Sequence, residues 1–161
     1  MTHTYDRLIA LLDANGARYR LIDHAPEGRT EIVSAMRGHP VGEAAKCLLV
    51  MIKMGKKVTR FVLAVVPGDA RLDLGAIRAM MNATYAGFAP PDRAEALAGS
   101  VVGTVLPFAF VEELTVIADP GLKAHAELYF NAARLDRSIA LRTDDYFRIA
   151  KPRMAPIIEV V

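Results

Sequence analysis

The sequence predicts a mixed α/β fold, a mixed sheet with helices packed outside it, and three observations carry the prediction. Two long apolar runs, "KCLLVMI" and "FVLAVV", lie on either side of the turn "MGKK". Several other segments carry apolar residues at helical spacing between cap and stop signals. These strands and helices interleave without the regular alternation of a doubly wound parallel sheet. With 161 residues, 53% of them apolar, residues 1–161 are expected to form a single domain with a sizeable core.

In chain order, "TYDRLIALLDANG" places Tyr5, Leu8, Ile9 and Leu12 on one helical face, with Thr4 as its cap and Asn15-Gly16 as its left-handed stop. "ARYRLIDH" reads as a short strand and "APEGR" as a loop. Thr30 then caps a helix that runs to about Arg37, where "GHPVGEAA" breaks it. The two apolar runs form a central hairpin. Cys47, Leu49 and Met51 are as apolar as Leu48, Val50 and Ile52, so both faces of its first strand should be covered. Asp73 caps a helix carrying Leu74, Ile77 and Met81, and a second short helix runs from about Pro91 to Leu97 with Gly99 as its stop. After the punctuated loop "GSVVGTVLPF", strands are expected at "LTVIAD", "AELYFN" and "SIALR". A helix follows from Thr143, with Asp144 and Asp145 at its positive end. The tail beyond Lys151 reads as peripheral.

Composition excludes several functions. The formal charge is +2, without the dense basic block of a protein that grips nucleic acid tightly, so contact with nucleic acid should be local. DNA binding is not expected. A single cysteine, Cys47, excludes an internal disulfide, and no Cys/His spacing suits structural zinc; neither a metal nor a cofactor is expected. No apolar run reaches the length of a membrane span and the N-terminus lacks an export signal, so a soluble cytoplasmic protein is expected. "GHPVGEAAK" departs from the phosphate-loop spacing, and no G-x-G-x-x-G is present.

Candidate groups are few. Cys47 could serve as a nucleophile with His24, His39 or His125 as its base, but a lone cysteine opening a buried strand reads first as a small hydrophobe. His24 and His39 lie in loops near prolines and are candidates to line a site. Lys46, at the mouth of the central strand, either sends its ammonium to solvent or aims it into a cleft that binds a phosphate or a polarised carbonyl. In "GTVLPF", Gly103 allows close backbone approach and Pro107 stiffens the exit, so the amides between them could face a carbonyl oxygen.

Taken together, "GEAAKCLLVMI", "GDARLDL", "GSVVGTVLPF", "LTVIADPGL" and "LYFNAARLDRSIAL" stand in the order and spacing of a known family. The chain resembles the YbaK/ProX-type aminoacyl-tRNA editing domains, stand-alone relatives of the prolyl-tRNA synthetase insertion domain, over about residues 5 to 150. The resemblance implies a curved central sheet and hydrolysis, in trans, of the ester of mischarged tRNA. It implies that Lys46 contacts the tRNA 3′ end and is needed for activity. It assigns Gly103, Thr104, Val105, Leu106 and Pro107 to the loop that positions the aminoacyl carbonyl, and Asn131 to the amino-acid pocket. Ala133 departs from a frequent family glycine. His24, Arg29 and Thr30 are further substrate-binding candidates, Arg29 as a phosphate contact. Lys53, Lys56, Lys57 and Arg60 read as a solvated hairpin tip, with acceptor-stem phosphates as the alternative.

An aminoacyl ester is already activated, so backbone donors and a held water suffice without a protein nucleophile. The expectation is therefore a metal-independent deacylase for tRNA carrying Ala, Ser, Thr or Cys, with the mischarged tRNA and an aminoacyl-tRNA synthetase as candidate partners. The alternatives are a non-catalytic module that binds a tRNA 3′ end or a protein, and a cysteine hydrolase using Cys47.

Overall fold

The computed structural model describes residues 2–160. Its elements are α1 (Thr2–Ala14), β1 (Tyr19–Asp23), α2 (Thr30–Arg37), β2 (Ala45–Met54), β3 (Val58–Pro67), α3 (Leu74–Met80), β4 (Tyr85–Phe88), α4 (Pro91–Ala98), β5 (Leu114–Ala118), β6 (Glu127–Asn131), β7 (Arg137–Arg142), α5 (Thr143–Ala150) and β8 (Arg153–Met154).

The expected mixed sheet is divided in two. Strands β4-β2-β3-β5-β8 form one sheet and β1-β7-β6 a smaller antiparallel one. Within the larger sheet β4, β2 and β3 are antiparallel, whereas β5 runs parallel to β3 and β8 parallel to β5. The sheets touch at a bridge between Ala44 and Tyr129, just ahead of β2.

Because side chains alternate across a strand, the unbroken apolar run of β3 feeds two cores. Phe61, Leu63 and Val65 pack with Leu49 toward the smaller sheet, where Leu8 and Leu12 of α1 and Tyr146 of α5 complete the cluster. Val62, Ala64 and Val66 pack with Val50, Ile52, Ile77 and Ile117 on the opposite face. Both faces of β2 are thus covered, as its residues require.

Several local signals act as read. Asp73 accepts from the Ala76 amide at the start of α3, and Gly38 and Gly99 close α2 and α4 in left-handed conformations. Thr4 does not cap: α1 starts at Thr2, and the Thr4 hydroxyl donates to the Gly99 carbonyl, tying α1 to the end of α4. Thr30 is the first residue of α2, whose cap position belongs to Arg29 without a side-chain bond.

Two regions differ more. Strand β4 comes from "YAGF", which has no apolar run; it exists because β2 offers an open edge from Val50 to Lys53. The tail is not peripheral. Ile157 is fully buried in the second core, β8 pairs with β5, and the Ile157 amide donates to Asp119 at 3.0 Å. Asp119 also accepts from Gly121, so one buried carboxylate orders its own turn and fastens the tail.

Candidate active site

A cavity of about 380 Å³ opens where the start of β2, the end of β6, the N-terminal turn of α2 and the 102–105 loop meet. Lys46, Gly103, Val105, Thr30 and Asn131, all expected at the site, line it together. So do Gly28, Arg37, Phe88 and Tyr129, which the sequence did not single out.

Lys46 occupies the strand mouth, half-buried, and its ammonium donates to the Ala70 carbonyl at 2.5 Å. The 67–70 turn that presents this carbonyl lies against the backbone before β2. Gly68 donates to the Ala44 carbonyl, and a Cβ on Gly68 would collide with the Val41 carbonyl.

The 103 loop is held by close backbone packing. Gly103 has φ +90°, and a Cβ there would lie 2.9 Å from Gly28 Cα. Only glycine meets both demands. Thr104 is fully buried, with its amide and hydroxyl both donating to the Val101 carbonyl; Leu106 is buried, and the Pro107 carbonyl accepts from Tyr146. These three anchor the loop and are not among the cavity-lining residues. Among the described residues, the Gly103 and Val105 amides have no protein acceptor.

Asn131 clamps the loops on either side. Its amide nitrogen donates to the carbonyls of Glu27 (2.8 Å) and Gly103 (3.2 Å), and its oxygen accepts from the Ser138 hydroxyl (2.8 Å) and from Arg37 (3.4 Å). With two carbonyls facing the nitrogen, the amide has one consistent orientation.

Arg37 has no carboxylate partner among the described residues. Its guanidinium donates to neutral acceptors: the His39 ring, Ser138, Asn131 and Ser34. Burial lowers its pKa to about 10, which still leaves it charged near neutral pH. Arginine can only donate, so His39 Nε2 accepts and Nδ1 carries the proton, donating to the Pro40 carbonyl at 2.7 Å. His39 stacks on Tyr129 with ring centroids 3.7 Å apart. Burial, the main cause, with Arg37 adding to it, pulls the His39 pKa down.

His24, Arg29 and Ala133 lie outside the cavity wall. His24 contacts the Ala25 carbonyl and, at 2.7 Å, Ser138, one step behind Asn131. Arg29 is exposed and turns back onto Glu27 at 2.8 Å. Ala133 is buried with φ 60°, so the left-handed turn that a glycine would favour is kept with an alanine in it. Cys47 lines the cavity, but burial pushes its thiol far above the ordinary range, the wrong direction for a nucleophile.

The cavity therefore presents two cations, Lys46 and Arg37, among mainly apolar walls, with no carboxylate lining it. Such a site suits an anionic ligand carrying a small apolar or hydroxyl group, and free backbone amides can stabilise a developing oxyanion.

The model of the aminoacyl-tRNA editing domain matches residues 24–149. The chain is 40% identical over 152 residues to the multifunctional Ser/Thr-tRNA deacylase ProXp-y of Escherichia coli K12, covering 94% of this chain and 90% of that protein. Among solved structures, a candidate trans-editing enzyme for prolyl tRNA synthetase aligns with TM-score 0.80 at 20% identity, covering 98% of each chain. The hypothetical protein APE2540 aligns with TM-score 0.85 at 20% identity, covering 95% of this chain and 99% of that one. At that identity the structural matches speak for the fold.

Proposed function

This chain belongs to the aminoacyl-tRNA editing domain family, and from that premise we propose that it is a single-domain, trans-acting deacylase releasing serine or threonine from mischarged tRNA. The observation that carries the reading is the meeting of Lys46 with Gly103 and Val105 at one cavity that two cations and no carboxylate line.

Lys46 holds the phosphate-rich 3′ end, while the Gly103 and Val105 amides receive the ester carbonyl oxygen. Attack by water forms a tetrahedral intermediate whose oxyanion these donors stabilise. The acyl C–O bond then breaks, the amino acid leaves with the water oxygen, and the ribose oxygen gains a proton. Thr30 supports the choice of amino acid. Thr30 lines the cavity, its hydroxyl has no protein partner among the described residues, and it can pair with a substrate hydroxyl.

The test is a panel of tRNAs charged with labelled Ala, Ser, Thr, Cys or Pro. Faster release of Ser and Thr than of the others is expected. Release no faster than in buffer for every small amino acid would overturn the proposal.

A further inference from the structure

A second cavity, of about 450 Å³, adjoins the first and shares Lys46, Leu48 and Phe88 with it. Arg71, the first turn of α3 and Glu159 line the rest of it. From this arrangement, and resting on the function proposed above, we infer that the second cavity holds the penultimate nucleotide of a single-stranded RNA 3′ end, with its base stacked on Phe88.

Three features support this occupant. First, Lys46 belongs to both cavities, so a chain whose terminal residue enters the first and whose phosphate lies at this ammonium continues into the second. Second, Phe88 is 57% exposed at the end of edge strand β4, and among the described residues no aromatic ring or cation covers its face. An exposed ring beside a cation is the combination by which proteins hold single-stranded nucleic acid. Third, Arg71 lines the same cavity with its side chain 86% exposed, and its ion pair at 3.4 Å with Glu159, which lines the cavity too, is an exposed one that a phosphate can replace. The carboxylate of Asp73 is engaged as the cap of α3.

The test uses uncharged RNA hairpins ending in single-stranded ACCA, with or without the base at the penultimate position. Binding to the full-length protein is followed by fluorescence anisotropy. For the unsubstituted protein, loss of that base should weaken binding about tenfold, the scale of one base–aromatic stack. In Phe88→Ala the same loss should change binding less than about twofold, because the partner is already gone. Phe88→Tyr should restore the full effect. Equal losses in the unsubstituted protein and Phe88→Ala, or no loss in the unsubstituted protein, would overturn the inference. The readout is independent of hydrolysis: a protein that releases no amino acid yet shows this coupling loses the function proposed above and keeps the subsite.

Discussion

Lys46 shows how far a single residue can be read before its surroundings are known. Its place at a strand mouth left solvation and function equally open; the cavity it shares with Gly103 is the observation on which the proposed role rests. Lys46→Ala should lower kcat/KM for deacylation about ten- to a hundredfold, the scale of a lost charge-assisted hydrogen bond to phosphate. Its one hydrogen bond, to Ala70, contributes only about 1 kcal/mol, so thermal melting should hardly change. His39 gives a pH prediction. The folded protein keeps it neutral with a depressed pKa, whereas the unfolded chain protonates it near its ordinary value of about 6.5. As pH falls below that value the unfolded state takes up a proton that the folded state refuses, so stability falls. Above it, this contribution is level. Thermal melts from about pH 7.5 to 5 should show the decline, and His39→Phe, which can keep the stack on Tyr129, should flatten it.

At the scale of elements, the site depends on two loops pressed together, and glycine permits it. Gly103→Ala places a methyl group against Gly28 in a left-handed backbone, a strain of about 1–3 kcal/mol. The loop must shift, and displacement by about 1 Å at the reacting carbonyl costs on the order of a hundredfold in rate. Steady-state kinetics should therefore show a fall in kcat well beyond what a modest drop in melting temperature explains. An unchanged kcat would remove the loop from the mechanism. Strand β4 teaches a related lesson. Neither "YAGF" nor its flanks announce a strand, yet pairing with the edge of β2 supplies its hydrogen bonds and sets Phe88 at the cavity mouth.

For the molecule as a whole, stability is shared between two cores on the faces of one sheet, and the C-terminal tail completes the second. Ile157→Ala should cost about 2–5 kcal/mol in urea unfolding, a large share of a typical domain's stability. Asp119→Ala strands the buried Ile157 amide along with that of Gly121, and should cost about 1–3 kcal/mol for the buried donor. Since both substitutions loosen the same tail, their combination should cost less than the sum. A full sum would mean that the tail is not the shared element.

The sequence by itself determined the central hairpin, the helices and their stops, and the family, because periodicity, caps and motif order are local and survive translation into structure. It also placed Lys46 and Gly103 among the candidates. It did not reveal Arg37, which sits at the end of α2 like any charge placed to suit a helix dipole. Its meaning comes from Asn131, 94 positions away, and Ser138, 101 away. The tertiary structure alone decided that Asn131 clamps two loops, that Thr104, Leu106 and Pro107 anchor rather than line the cavity, and that the tail belongs to the core. Each depends on which distant backbone group or cavity a side chain meets, and only the packing of two sheets fixes that.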